Sequence, residues 1–125
     1  MDSRKFLESL RCAIEGIRYC INTQRNMKIH FIVAIIVLFA GILLEVSRLE
    51  LIILIMSISI VFICEIINTA VEKTVDTMTQ DYHPIAKIAK DVAASAVLVA
   101  AINSVIVGCM IFGKYLWFIA LKTLK

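Results

Sequence analysis

Proline occurs once in this chain of 125 residues, at Pro84, so the sequence offers a single strong break in an otherwise continuous run of helix-compatible residues. The four cysteines, Cys12, Cys20, Cys64 and Cys109, show no C-x-x-C spacing and form no metal pattern with the two histidines, which excludes a zinc site and predicts no disulfide. No G-x-x-x-x-G-K-[ST] loop and no G-x-G-x-x-G occurs, so any nucleotide site departs from the common kinase and ATPase designs. No cleavable signal peptide is expected, because charges recur up to Lys28 without a short apolar core and a cleavage site after it. The net charge is only +3, with the basic residues in blocks rather than in a stripe, so nucleic acid is not an expected partner.

What is present is apolar. Hydrophobic residues make up 61% of the chain and the mean hydropathy is +0.92. Soluble domains lie nearer 45–50%, so composition alone indicates an integral membrane protein. The length suits one domain, residues 1–125. Three spans leave little room for an enclosed pocket, so an oligomer with sites between subunits is expected.

Residues 4–25 read as an amphipathic surface helix. Phe6, Leu7, Leu10, Ala13, Ile14, Ile17, Cys20 and Ile21 cover one arc, and Arg4, Lys5, Glu8, Arg11, Glu15, Arg18 and Asn22 occupy the rest. Three spans follow, at about 29–46, 51–79 and 85–112. The charged segment Glu45 to Glu50 is expected as a tight turn between the first two, and the segment around His83-Pro84 as a connector before the third. His30 reads as an interfacial or hydrogen-bonded histidine rather than a metal ligand. Ala96, Ala100, Ser104 and Gly108 form a small-residue stripe suited to close helix packing, and Asn103 an interhelical hydrogen-bond partner. The tail after Gly113, with Tyr115, Trp117 and Phe118, reads as an aromatic interface belt. With the N-terminus inside, nine basic residues are cytoplasmic and four, Arg48, Lys114, Lys122 and Lys125, lie outside, in keeping with the positive-inside rule.

The most informative stretch is Glu65 to Asp76, E-I-I-N-T-A-V-E-K-T-V-D. At about 100° per residue, Glu65, Asn68, Glu72 and Asp76 share roughly 80° of one helical face. If Leu51 enters the hydrocarbon, Glu65 lies about 21 Å into a core about 30 Å thick, and Glu72 reaches the far interface at about 31 Å. A charge at depth costs at least about 2.5–3.5 kcal/mol on insertion scales, so such residues are usually functional. The stripe therefore joins lipid to water, as a reaction between a membrane substrate and a soluble one requires. Glu65, desolvated near lipid, suits a general base for a lipid hydroxyl, with Asn68 orienting it. Glu72 and Asp76 offer hard oxygen ligands to Mg2+, and Lys90 a cation for phosphates.

E-x-x-N-T-A-x-E-x-x-x-D followed by Lys90-Asp91 resembles the small prokaryotic diacylglycerol kinase family. R-N-M-K-I-H at Arg25 to His30 and H-P-I-A-K-I-A-K-D at His83 to Asp91 resemble its Gram-positive, undecaprenol kinase branch. The similarity covers nearly the whole chain. It implies an all-α membrane protein of one surface helix and three spans, homotrimeric, with active sites shared between protomers at the cytoplasmic face of the bacterial plasma membrane. It implies ATP as co-substrate, Mg2+, Glu65 as catalytic base and Glu72 as metal ligand. It places Asp81, Tyr82, His83, Lys90 and Asp91 at nucleotide-contacting positions. One departure is notable: the family's metal-binding glutamate before R-N is Gln24 here, an amide without charge, which Asp76 could offset. Lys5 and Cys12 stand where some relatives have Arg and Tyr on the nucleotide side of the surface helix. The implied reaction is phosphorylation of undecaprenol. Diacylglycerol phosphorylation is the alternative acceptor chemistry, and a small cation-coupled transporter using Glu65 and Glu72 as a relay is the rival of another class. A transporter should show internal repeats and acids on facing mid-membrane helices. This sequence shows neither. A purely structural membrane protein would leave the acidic stripe without a reason.

Overall fold

The computed structural model describes residues 3–123, so Lys125 lies outside the described residues. Four helices follow one another: α1 (Ser3–Thr23), α2 (Arg25–Leu43), α3 (Arg48–Met78) and α4 (Pro84–Thr123). No strand occurs among the described residues. The last three are long and apolar enough to cross a membrane. At 1.5 Å per residue, α3 spans about 46 Å and α4 about 60 Å, so both extend beyond a hydrocarbon core of about 30 Å.

The usual arrangement of a globular protein is inverted. The buried set includes Ser57, Glu65, Asn68 and Thr69, whereas Ile36 and Met110 are 61% and 74% exposed. Lipid, rather than water, is the solvent that such an apolar exterior fits.

Three junctions set the register. A single extended residue, Gln24 (φ −96°, ψ 118°), separates α1 from α2, so Arg25 to Lys28 belong to the first spanning helix and not to the surface helix or a linker. The second junction is shorter than the expected turn 45–50. Leu44, Glu45 and Val46 donate back to Ala40, Ile42 and Gly41 carbonyls, closing α2 with Glu45 in the left-handed region at φ 51°. Ser47 then caps α3. Its Oγ accepts from the Glu50 N–H at 3.3 Å, and Glu50 Oε2 accepts from the Ser47 N–H at 3.0 Å. This reciprocal pair starts the helix at Arg48 and draws Arg48 to Glu50 into its first turn. At the third junction α3 ends on extended Thr79, and Pro84, whose fixed φ suits the first helical position, opens α4.

The end of α4 departs from expectation. The helix does not stop near Phe112 but runs unbroken through Gly113 to Thr123. Tyr115 has a partner within the chain. Its hydroxyl donates to Glu50 Oε2 at 2.7 Å, and Lys114 forms an ion pair with the same carboxylate. Two contacts on Glu50, from Tyr115 and Lys114, lock the α2–α3 turn to α4, and this tertiary tie outweighs the modest helix cost of one glycine.

The tightest packing is between α3 and α4, where the small residues matter only in part. Ala100 is buried, and Ser104 Oγ donates to the Ser57 carbonyl at 3.2 Å. Ala96 is exposed, and a Cβ added to Gly108 would meet nothing within 4 Å. Asn103 is exposed and faces away from α3 within this chain, because helical periodicity turns it away when Ser104 faces α3.

Candidate active site

The stripe on α3 is graded in depth. Glu65 is 3% exposed and Asn68 is also buried, Glu72 is half-buried, and Asp76 is exposed. Thr69 Oγ1 donates to the Glu65 carbonyl at 2.9 Å, so its hydroxyl is satisfied within the helix. Asn68 Nδ2 donates to Glu72 Oε1 at 3.4 Å. Among the described residues, two buried oxygens remain without a partner, Glu65 Oε2 and Asn68 Oδ1. A buried acceptor left unmade typically costs about 1–3 kcal/mol, so two together on one face mark a place kept for a polar ligand.

Both residues open onto a cavity of about 290 Å³, closed on the other sides by Asn26, Ile29 and His30 of α2 and by Ala94, Val97, Leu98 and Ala101 of α4. Asn26 and His30 are functional candidates that the sequence reading did not place at the site. They lie one turn apart on a single face only because α2 begins at Arg25. The signal lay within R-N-M-K-I-H, but a helix starting at residue 29 leaves Asn26 outside it.

Ile29, His30 and Ala101 also line a second cavity, of about 270 Å³, which continues along the spanning helices past Val33, Ala34, Ile58, Val61, Phe62, Ser104 and Val105. Its wall is apolar except for His30 and Ser104, and the Ser104 hydroxyl is already committed to Ser57. A cavity carrying four polar side chains thus shares a wall with an apolar groove.

At the other end of the stripe, the connector encloses a space of about 640 Å³ lined by Val75, Asp76, Thr79, Gln80, Asp81, Tyr82, His83, Ala86, Lys87 and Lys90. Five residues expected at a nucleotide site, Asp76, Asp81, Tyr82, His83 and Lys90, are brought together here. Lys90 Nζ meets Asp76 Oδ1 at 2.5 Å, tying α4 to α3 across the connector. Asp91, one residue on, pairs instead with Lys87 at 2.5 Å on the α4 surface. Along α3 the two polar chambers are about 16 Å apart, from Glu65 to Asp76, with Glu72 between them.

The remaining expected residues sit elsewhere. Lys5 and Cys12 are exposed on α1, and neither lines any of these cavities. Gln24 is half-buried at the α1–α2 junction, and its side chain donates to Thr23 Oγ1 at 3.4 Å rather than to an α3 acid. No group of three or more His, Cys, Asp or Glu side chains placed to hold a metal occurs among the described residues. Asp76 has one oxygen engaged by Lys90, whereas Glu72 forms no ion pair among the described residues. One carboxylate at the water end of the stripe matches what Mg2+ needs when substrate phosphates supply its other ligands.

Comparison with known proteins agrees with this geometry. Residues 11–112 match the family model described as prokaryotic diacylglycerol kinase. The chain belongs to the prokaryotic diacylglycerol kinase family. Membership makes it a membrane lipid kinase. Among relatives in this family, the undecaprenol kinase of Bacillus subtilis is 44% identical over 108 residues, which is 86% of this chain and 88% of that protein. The diacylglycerol kinase of Synechocystis is 47% identical over 103 residues, covering 82% of this chain and 59% of that longer protein. The Escherichia coli diacylglycerol kinase is 38% identical over 72 residues, covering 58% of this chain and 59% of that one.

Proposed function

We propose that this chain transfers the γ-phosphoryl group of ATP to the hydroxyl of undecaprenol, giving undecaprenyl phosphate and ADP, at the cytoplasmic face of the bacterial plasma membrane. The observation that carries this reading is the buried Glu65 carboxyl, whose Oε2 has no partner among the described residues, in a cavity that shares Ile29, His30 and Ala101 with an apolar groove. Glu65 takes the proton of the lipid hydroxyl, whose oxygen forms the new bond to the γ-phosphorus. The bond to the β–γ bridging oxygen breaks, and ADP leaves. Asn68 bridges the two ends of the stripe: its amide donates to Glu72, and the residue lines the acceptor cavity. Lys90, with Asp81, Tyr82 and His83, receives the nucleotide in the connector cavity. Glu72, with Gln24 as a neutral second donor, would hold Mg2+, which neutralises phosphate charge when bound. The position of Lys5, Cys12 and Gln24 away from the connector cavity fits a homotrimer in which α1 of one protomer completes the site of its neighbour. The nine basic residues assigned to the cytoplasmic side favour this orientation.

The acceptor follows from the groove. Ile58, Val61 and Phe62 line it, and its Ser104 hydroxyl is occupied. A polyprenol offers only hydrocarbon beyond its hydroxyl. Diacylglycerol would bring two ester carbonyls against a wall with His30 as its one uncommitted polar side chain, and unpaired polar groups are costly to bury. Radiolabelled phosphate transfer from ATP to the two lipids, offered separately in one detergent, should give undecaprenol a kcat/KM higher by about tenfold or more. Equal or higher values for diacylglycerol would reverse the acceptor assignment.

Gln24→Glu adds an anionic oxygen where this chain has an amide. The magnesium concentration giving half-maximal turnover should fall several-fold, since Mg2+ gains a second carboxylate. A midpoint unchanged from wild type would show that residue 24 does not approach the metal.

A further inference from the structure

The groove below Glu65 has an apolar neighbour on the other side of the α2–α3 seam. Ile17 and Ile21 of α1, Met27 and Phe31 of α2, and Phe62 and Ile66 of α3 enclose about 200 Å³ with no polar lining. Phe62 lines both spaces. Its ring stands 6.4 Å from that of Phe31 at an interplanar angle of 45°, a tilted aromatic contact that fills the seam between α2 and α3. Of these two spaces, the groove on the α4 side shares Ile29, His30 and Ala101 with the Glu65 cavity, and the space under α1 shares no lining residue with it.

We infer that the Phe31–Phe62 pair is a specificity wall, which confines the acceptor to a single hydrocarbon chain lying in the groove beside α4. This rests on the lipid kinase reading of Glu65, and it adds the number of chains the site accepts. An acceptor whose hydroxyl reaches Glu65 threads one chain past His30 into the groove. A second chain attached near the same hydroxyl has its nearest apolar space under α1, and the two rings stand in the way. A polyprenol has one chain and loses nothing to this wall. A two-chain lipid must leave one chain outside the protein or displace a ring. Displacing a ring breaks the Phe31–Phe62 contact and exposes aromatic surface, which costs free energy.

The test separates chain number from headgroup chemistry by using monoacylglycerol and diacylglycerol, alike in their hydroxyl-bearing glycerol, alongside undecaprenol. Phe62→Ala joins the two spaces, Phe31→Leu widens the seam more gently, and Phe62→Leu keeps most of the volume. In Phe62→Ala the ratio of kcat/KM for diacylglycerol over monoacylglycerol should rise by about tenfold. Phe31→Leu should show a smaller rise and Phe62→Leu a ratio close to wild type, with KM for ATP unchanged in all three. Should Phe62→Ala fail to assemble, Phe31→Leu carries the same measurement. A ratio that stays within about twofold of wild type in the assembled variants overturns the wall. So does a parallel fall with both glycerolipids, which would make the rings packing elements only. The wild-type preference between undecaprenol and diacylglycerol reports separately on the proposed acceptor. It can fail while the mono-to-diacyl ratio still responds to Phe62.

Discussion

Glu65→Gln is expected to lower kcat by at least about a hundredfold, and by up to about ten-thousandfold, while leaving assembly in the membrane intact. The range is that typical of removing a positioned general base. The substitution keeps the shape of the side chain and both of its polar termini, so the close packing of α3 on α4 has no reason to change. It removes only the capacity to take a proton. The stability readout makes the experiment sharper. Glu65 is 3% exposed, and its Oε2 has no hydrogen-bond partner among the described residues, so the folded state carries much of the desolvation cost of a carboxyl group. An amide costs less to bury. The variant should therefore melt at the same temperature as wild type or higher, the pattern expected where a site holds strain for the sake of activity. Near-wild-type turnover would remove Glu65 from the reaction. A large drop in melting temperature would instead make it a structural residue.

Lys90→Met should cost roughly ten- to a hundredfold in kcat/KM for ATP, with little effect on KM for the lipid. Losing one charge-assisted contact to phosphate is an effect of that size. In the structure Lys90 has a partner already, Asp76, at 2.5 Å across the connector. Both side chains are substantially exposed, 38% and 49%, so the pair contributes little to holding the fold and can open at small cost. Nucleotide phosphates compete with one carboxylate for the same ammonium group. Lys90→Arg should recover part of the activity, because it restores positive charge without the same reach. The separation of the two KM values is the critical measurement: a Lys90→Met variant whose loss falls equally on ATP and lipid would place the residue in helix packing. Unchanged kinetics would take it out of the site.

Much of this molecule could be read from local pattern. The composition and the long apolar runs define three spanning helices, because backbone groups in lipid must be satisfied within the segment and a helix does that locally. The periodicity of Glu65, Asn68, Glu72 and Asp76 puts them on one face in any straight helix, so the stripe is a property of the sequence. Residues whose meaning depends on where a helix begins were less legible. Asn26 joins His30 at the Glu65 chamber because the chain breaks at Gln24, a break with no side-chain cap to announce it. The capping pair Ser47 and Glu50 was visible as S-x-x-E but was masked by a segment that also reads as a charged turn.

Tertiary structure alone decided which groups meet across helices. Asp76 and Lys90 stand 14 residues apart and look equally available to a ligand, but the connector brings them together as an ion pair. Tyr115 reads as a membrane-interface aromatic, and only the fold shows that Glu50, 65 residues earlier, accepts from its hydroxyl. Asn103 and Ser104 are neighbours with similar polar side chains, and only the rotation of α4 against α3 sends one outward and the other to the Ser57 carbonyl. Phe62 is one apolar residue among many until the seam with Phe31 closes it between two cavities. The physical reason is common to all four. Helical periodicity fixes which residues share a face. The relative rotation and depth of two packed helices depend on every side chain in their interface at once.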